Sequence, residues 1–438
     1  MSEKNVEMWG GVECTIRRIG NGYTDQLENS GHRYRVEDLD LFAELGIKKL
    51  RYPVLWEQVA PNSLDEPDWS WTDERLNRLR ELGIDPIVTL LHHGSGPRYT
   101  ALHRKNFVPG LARFAEMVAE RYPWIKHYTP VNEPLTTARF SGLYGIWYPH
   151  GIDDKTFVRI QLNHIKGTKA AMQAVRKINP EAELVQTEDL GKTQCTPGLE
   201  YQAEYENNRR WLTFDLLCGR IDENHPMWDY LRTNGATKKE LLELVEVPCP
   251  PDVMGINYYI TSERFLDTNH EAFPEHHRVV SCNERPDYAD VEAVRVRLVE
   301  LTGQYRLLME AWERYQLPLA VTEVHIECTR EEQMRWVQQT WNIANQLKEE
   351  GVDMRAITIW SLLGAYDWNS LLTRPGTFYE SGVFDMSGGT PRPTALFKMI
   401  RSLALEGHYD HPLLLSKGWW EREERFLYHH HCPTHQTT

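Results

Sequence analysis

The chain has 438 residues, and its 49 Lys and Arg against 63 Asp and Glu give a formal net charge of −14. This acidic excess disfavours binding to nucleic acid, whose phosphate backbone requires a basic face. No apolar run is long enough to span a bilayer, so no membrane partner is expected. The charged share of 26% and the hydrophobic share of 41% are those of a folded globular protein.

The N-terminal stretch and the cysteines favour a cytoplasmic location. The first eleven residues, MSEKNVEMWGG, contain no basic region followed by an apolar stretch, so no secretory signal is expected. The seven cysteines are scattered and form no CxxC pair. This pattern is typical of reduced thiols rather than of a disulfide framework.

Short β-branched runs alternate with longer amphipathic stretches along most of the chain. The stretches carry apolar residues three and four positions apart, as helices that face a core do. Gly46, Gly83 and Gly351 follow three of them, where a left-handed helix end is expected. The predicted helices are 36–46, 72–83, 107–122, 158–178, 296–315 and 331–351. The predicted strands are 6–13, 47–54, 86–93, 126–133, 182–189, 252–259, 318–325 and 355–362.

Eight strands, most of them followed by a helix, predict an α/β fold with a parallel sheet. That number favours a closed (β/α)8 TIM barrel with extended βα loops over an open sheet. We predict one barrel domain over residues 1–416 and a polar, histidine-rich tail over 417–438. The polar segment from about 263 to 290 lacks periodicity and is predicted to be a long loop on the catalytic face.

No cofactor or metal is expected. The first strand is not followed by GxGxxG, and the chain has no GxxxxGK[ST] sequence, so no motif for a dinucleotide or a nucleoside triphosphate is present. His92 and His93 are adjacent and lack a third ligand at a suitable spacing, which argues against a metal site.

In a barrel of this class the chemistry lies at the C-terminal ends of the strands. Glu133 and Glu323 end the fourth and seventh strands, which face each other across the barrel mouth. Two carboxylates around one bond are what glycoside hydrolysis requires. Pro134 is predicted to keep Glu133 extended. Glu188 and Asp189 end the fifth strand and are predicted to cap a helix or form a salt bridge.

These strand-end residues lie in motifs that resemble glycoside hydrolase family 1, the β-glucosidase-type barrel enzymes. The resemblance runs from about Trp9 to Arg401 and identifies the chain as a divergent member. Each motif alone is weakly specific, but together they occur in the family's order. They are Trp9-Gly10, Arg51 to Pro61, Thr89 to His93, Thr129 to Pro134, Gly255 to Tyr259, Thr322 to His325 and Trp360 to Trp368.

The resemblance implies a retaining O-glycosidase that hydrolyses β-glycosidic bonds of the glucoside, galactoside or fucoside type through a glycosyl-enzyme. Glu133 is then the general acid/base and Glu323 the nucleophile, with a carbohydrate or glycoside as the substrate. The implied substrate-binding residues are Arg17, His92, Asn132, Tyr259, Trp360, Asp367 and Trp368, and the implied supporting residues are Arg51 and Asn257.

Several positions depart from the family pattern. A count from Trp9 without gaps puts Arg17 where the family has a glutamine that reads sugar hydroxyls, and arginine cannot accept a hydrogen bond. Asp367 replaces a glutamate and His93 a tryptophan. The sugar is therefore left open, an anionic sugar included. Three alternatives also remain: a carbohydrate-binding barrel without hydrolysis, a transglycosylase, and a metal-dependent barrel hydrolase. The sequence does not predict an oligomeric state.

Overall fold

The computed structural model describes residues 5–281, 285–376 and 378–428. Eight parallel strands form one closed barrel, in which the first strand pairs with both the eighth and the second. The barrel strands, numbered below in this order, are Glu7–Gly11, Lys49–Pro53, Asp85–Thr89, His127–Thr129, Glu183–Asp189, Val253–Asn257, Leu319–Val324 and Met354–Ile359. Each overlaps one predicted run, and the prediction of a (β/α)8 barrel is confirmed.

Helices of the predicted kind follow the strands. Gly46, Gly83 and Gly351 have φ values of +78°, +68° and +94°, so the three predicted left-handed helix ends are confirmed. The helices of six or more residues are Asp38–Ala43, Ser70–Glu81, Phe107–Arg121, Asp154–Ile178, Glu200–Arg209, Leu212–Leu217, Trp228–Thr233, Lys238–Glu246, Gly303–Tyr315, Arg330–Glu349 and Ala395–Glu406. In the described part of the chain, none of the helices has the length and apolar character needed to cross a membrane.

The prediction that a helix begins at residue 296 is wrong. The backbone of Val296 forms a parallel bridge with Tyr428, and the helix begins only at Gly303. The residues between them look helical in sequence because Leu298 and Leu301 fall at helical spacing. Pairing with the C-terminal segment holds the start of this stretch extended.

The barrel interior is filled with side chains. One buried cluster draws residues from six different barrel strands, so its members meet inside the barrel. They are Trp9, Ile87, Val185, Val253, Ala320 and Ala356. A second and much larger cluster packs the helices against the outer face of the sheet. The packed interior leaves the barrel mouth as the place for a site.

The predicted long connection from about 263 to 290 follows the sixth strand, but the prediction that it is irregular is wrong where it forms strands. It contributes three strands to a small four-stranded sheet beside the barrel mouth. Phe265, Ala289 and Val291 are buried with Phe273 in a core of their own. The strands of this sheet are Thr193–Cys195, Arg264–Asp267, Arg278–Val279 and Tyr288–Glu292. Residues 282–284 of the predicted loop lie outside the described residues.

The first part of the predicted tail packs on the barrel. Trp420 is 4% exposed, and its ring lies 5.0 Å from the ring of Trp336 on the helix Arg330–Glu349. Its indole N–H donates to Gln339 at 2.7 Å. The predicted domain boundary at residue 416 stays a prediction, and the histidines at 429–431 lie outside the described residues.

Candidate active site

The chain turns sharply at Glu133, shortly after the fourth strand. The φ of Glu133, 44°, lies in the left-handed region, so the prediction of an extended backbone at this residue is wrong. The helix Pro134–Ala138 begins at the next residue, and the Glu133 carbonyl already accepts a hydrogen bond from the Thr137 N–H at 2.9 Å. Positive φ at a residue other than glycine is uncommon and concentrates at functional sites.

Glu188 holds the start of this helix from the neighbouring strand. Its carboxylate accepts hydrogen bonds from the backbone N–H groups of Leu135 at 2.7 Å and Thr136 at 3.3 Å, and from the Thr213 hydroxyl. The prediction that Glu188 caps a helix is confirmed. Asp189 lies 3.7 Å from Arg139, as the salt-bridge reading predicted. Glu188 therefore fixes the turn that orients Glu133.

Glu133 is 5% exposed and accepts a hydrogen bond from the Asn257 amide at 2.5 Å. The oxygen of the same amide accepts from the Thr322 hydroxyl at 2.6 Å, which fixes its orientation. Burial raises the pKa of Glu133 well above its ordinary value, and the nearby charge of Glu323 adds to this effect. Glu133 is therefore suited to carry a proton at neutral pH.

Glu323 faces the same space with a different set of partners. It lies where the pairing of the sixth and seventh strands shifts register, an irregularity that re-aims a side chain. One oxygen accepts from Arg51 at 2.9 Å and the other from the Tyr259 hydroxyl at 2.5 Å. Burial raises the pKa of Glu323, whereas Arg51 and Tyr259 lower it. These two donors favour the charged carboxylate.

Arg51 links Glu323 to Asn132. Its guanidinium also donates to the Asn132 side-chain oxygen at 2.6 Å, which accepts from Thr187 as well. The Asn132 nitrogen lies 3.2 Å from Nε2 of His93. Because its oxygen already has two donors, Asn132 has mainly its NH2 group to offer a ligand.

Trp360 forms a flat surface under these groups. The Arg51 guanidinium lies 4.5 Å from its ring centroid, and the His92 ring stacks on it at 5.3 Å. A Cβ atom at Gly11 would lie 2.5 Å from the Trp360 ring, so glycine is required there. Close approach of the first strand thus positions Trp360.

Asp367 and Trp368 lie on the loop after the eighth strand. The Asp367 carboxylate accepts from the backbone N–H groups of Gly376 at 3.0 Å and Phe378 at 3.3 Å. The Asp367 side chain therefore stabilises the conformation of its own loop. The Trp368 ring lies 5.5 Å from that of His93. The role in reading distal hydroxyls that the resemblance implies for both residues stays a prediction.

Arg17 lies on a hairpin strand, Ile16–Ile19, at the edge of the site. Its guanidinium stacks on Trp147, 4.1 Å from the ring centroid, and contacts the His93 carbonyl at 3.5 Å. Burial lowers the pKa of Arg17 to about 8. The structure thus groups Arg17 with Trp147 and His93, and its predicted contact with sugar stays a prediction.

The site residues assigned from the sequence do not include Glu13, a buried acid near these side chains. Glu13 is 3% exposed and lies 3.9 Å from Nε2 of His92. Burial raises the pKa of Glu13 to about 7, and the charge of Glu323 also raises it. The signal was present, because the predicted strand 6–13 ends in a glutamate, as the strands ending at Glu133 and Glu323 do.

The chain is similar over most of its length to glycoside hydrolases of one family. The profile of glycosyl hydrolase family 1 matches residues 11–381. Beta-glucosidase A of Acetivibrio thermocellus is 21% identical, covering 83% of this chain and 85% of the relative. A bifunctional beta-D-glucosidase/beta-D-fucosidase of Bifidobacterium breve is 24% identical, with coverages of 83% and 85%. The solved family 1 β-glucosidase of Thermotoga maritima superimposes with a TM-score of 0.74 at 15% identity, covering 94% of this chain and all of that one.

Proposed function

Because the chain belongs to glycosyl hydrolase family 1, we propose that it is a retaining β-glycosidase with Glu323 as nucleophile and Glu133 as acid/base. Membership confirms the resemblance drawn from the motifs and makes the chain a glycoside hydrolase that cleaves β-glycosidic bonds. The observation that carries the assignment of roles is the contrast between the two carboxylates. Glu323 receives hydrogen bonds from Arg51 and Tyr259, whereas Glu133 is buried beside a negative charge.

The first step forms a glycosyl ester. The ionised Glu323 attacks the anomeric carbon, and the bond from that carbon to the leaving oxygen breaks. Glu133 gives its proton to the leaving oxygen, so the aglycone departs as a neutral alcohol. Arg51 and Tyr259 hold the attacking carboxylate in place.

The second step returns the enzyme to its starting state. Esterification removes the negative charge of Glu323, so the pKa of Glu133 falls and it acts as a base. Glu133 takes a proton from water, the water oxygen attacks the anomeric carbon, and Glu323 leaves as a carboxylate. Two inversions give net retention of configuration.

The proposal also covers the substrate and the compartment. A neutral hexoside of the glucoside, galactoside or fucoside type is the proposed substrate, with neither nucleic acid nor membrane as partner. The Bifidobacterium relative is named for both glucosidase and fucosidase activity, which supports this range. Five cysteines in the described part of the chain are free thiols, which supports work in the reducing cytoplasm.

The test is hydrolysis of 4-nitrophenyl β-glycosides by the wild type and by two variants. We expect Glu323→Ala to lower kcat/KM by at least about 10⁴-fold on every sugar that the wild type accepts. We expect Glu133→Ala to lose far less activity on dinitrophenyl glycosides than on methyl glycosides, because dinitrophenolate departs without a proton. Proton NMR identifies the anomer formed first.

An inverted first product would contradict the role of Glu323. Equal losses on good and poor leaving groups would contradict the role of Glu133. Thermal unfolding of each variant separates lost chemistry from lost folding, since both side chains are buried. Release of the glycosyl group to added alcohols instead of water would mark a transglycosylase.

A further inference from the structure

We infer that Glu13 is a specificity-determining residue, which together with His92 binds one hydroxyl group of a neutral sugar. The inference rests on the proposed function, because it places the sugar next to Glu323. It transfers to Glu13 the reading of hydroxyl groups that the sequence resemblance implies for position 17.

The geometry between the two side chains fits one hydroxyl group. A carboxylate oxygen of Glu13 and Nε2 of His92 are 3.9 Å apart, too far for a direct hydrogen bond. An oxygen about 2.8 Å from each atom fits between them. A sugar hydroxyl there donates its proton to Glu13 and accepts one from His92.

His92 supports this reading independently. It is 1% exposed, and neither ring nitrogen has a hydrogen-bond partner among residues 5–281, 285–376 and 378–428. Buried polar atoms are normally paired, so this ring is prepared for a group that the protein does not supply. Its stacking on Trp360 fixes its plane. Burial lowers the pKa of His92 well below its ordinary value, so the ring is neutral and one nitrogen can donate.

Glu13 is held in position before any sugar arrives. Its other carboxylate oxygen accepts from the Thr15 N–H at 2.9 Å and from the Thr15 hydroxyl at 2.6 Å. The Glu13 backbone N–H donates to Ser361 at 3.0 Å, beside Trp360. A side chain fixed in this way loses little entropy on binding, so its hydrogen bond contributes to affinity.

The surrounding charges define the class of sugar. The negative charge of Glu323 reaches Glu13 and raises its pKa, so the same charge would repel an anionic group on the sugar. Arg17 does not offset this, because its guanidinium lies against Trp147 and the His93 carbonyl. A neutral hydroxylated sugar is therefore favoured over a uronic acid, in contrast to what position 17 suggested.

The test measures binding without turnover. Alkyl 1-thio-β-glycosides resist hydrolysis and leave Glu133 and Glu323 in their native charge states. The panel contains the glucoside, the galactoside, the glucuronide and the 2-, 3-, 4- and 6-deoxy glucosides. Dissociation constants are measured by calorimetry for the wild type, Glu13→Ala and Glu13→Gln. The matched control is Glu57→Gln, a buried glutamate that instead accepts from the Gly96 N–H at 2.9 Å.

At pH 8, above the pKa of about 7 to which burial raises Glu13, we expect Glu13→Ala to weaken binding of the best neutral sugar about 30-fold, the scale of a hydrogen bond to a charged group. For one deoxy analogue, which lacks the hydroxyl in question, the wild type and Glu13→Ala should agree within about threefold. Glu13→Gln keeps an acceptor and should lose less, and Glu57→Gln should lose none. The glucuronide should bind the wild type at least about tenfold more weakly than the glucoside.

The same loss on every analogue would overturn the inference, as would preferred binding of the glucuronide or no binding of any sugar. The proposed function is tested separately, by turnover. Loss confined to one hydroxyl in a protein that hydrolyses nothing would remove the proposed function and leave the role of Glu13. Turnover of glycosides without a loss confined to one analogue would support the proposed function and overturn the inference about Glu13.

Discussion

Neighbouring donors distinguish two otherwise identical side chains in this site. Glu133 and Glu323 are both buried glutamates at strand ends, and burial raises the pKa of each. Arg51 and Tyr259 oppose this effect at Glu323, whereas Asn257 is the donor at Glu133. Three residues that take no part in bond-making therefore support the proposed division into nucleophile and acid.

Tyr259→Phe tests this division through the pH profile. Removing the hydroxyl removes a hydrogen bond to the charged form of Glu323, so the pKa of Glu323 rises. The nucleophile must be ionised, so the acid limb of kcat/KM should move to higher pH while the alkaline limb stays in place. We expect kcat/KM at the optimum to fall about 10- to 100-fold. Stopped assays of an aryl glycoside from pH 4 to 9 check this.

Tyr258→Phe is the matched control. Tyr258 is the adjacent residue, but its hydroxyl donates to Glu263 at 2.9 Å, on the side of the strand away from Glu323. Its acid limb should coincide with that of the wild type. If both variants shifted the limb equally, the effect would come from packing and not from the hydrogen bond to Glu323.

At the scale of elements, the barrel strands could be predicted and the small sheet could not. Strands buried on both faces are nearly continuous apolar runs, such as Leu319–Val324. Two of the predicted strands contain Glu133 or Glu323 at their C-terminal ends. The strand Arg278–Val279 has two residues and Arg264–Asp267 has four, and both mix charged with apolar residues. Strands this short give no alternation long enough to recognise.

The ends of the barrel strands also guide the prediction of the site residues. Strand-end position identifies carboxylates, so the same rule applied to the first strand would have added Glu13. Counting forward from Trp9 led to Arg17, which lies on the hairpin of Ile16–Ile19 and Gly22–Asp25 and whose contact with sugar stays a prediction. The left-handed turn at Glu133 was missed because a proline signals only that its predecessor is not in the right-handed helical region.

The helix that begins after Glu133 depends on Glu188, and this dependence varies with pH. Burial raises the pKa of Glu188 to about 7, above its ordinary value of 4.5. Its contribution to stability is therefore complete below pH 4.5 and is lost as the pH rises to about 7. Glu188→Gln cannot ionise. Relative to this variant, the wild type should lose on the order of 2 kcal/mol of unfolding free energy over that interval.

Denaturant unfolding of both proteins at pH 4.5, 6 and 8 checks this expectation. Glu204→Gln is the control, because Glu204 is exposed on the helix Glu200–Arg209 and its replacement should give no pH-dependent difference. A difference between the wild type and Glu188→Gln that stayed constant from pH 4.5 to 8 would show that Glu188 is ionised throughout.

At the scale of the whole molecule, the C-terminal segment is packed against the barrel. Trp420 is buried against Trp336, and Arg422 forms an ion pair with Glu332 on the same helix. Tyr428 bridges Val296, next to the small sheet. The segment thus joins two elements that are far apart in sequence, and the barrel defined by residues 1–416 lacks this cover.

Truncation after residue 416 should therefore destabilise the protein without changing its chemistry. Loss of the Trp420 packing costs about 3–5 kcal/mol, which corresponds to a fall in Tm of about 5 °C. Trp336 lies on the outer helix Arg330–Glu349, not at the barrel mouth, so kcat/KM at 25 °C should change less than about twofold. Differential scanning calorimetry and a glycosidase assay on the same samples measure both.

Truncation after Tyr428 is the matched control, because the contacts of Trp420, Arg422 and Tyr428 described above all lie before that point. The difference in Tm between the two truncated chains therefore measures what residues 417–428 contribute. Trp420→Ala should reproduce most of the loss caused by truncation at 416, since the buried indole supplies most of the contact area. Equal stability of the chain cut at 416 and the full chain would show that the barrel is complete without the segment, as the boundary drawn from the sequence implies.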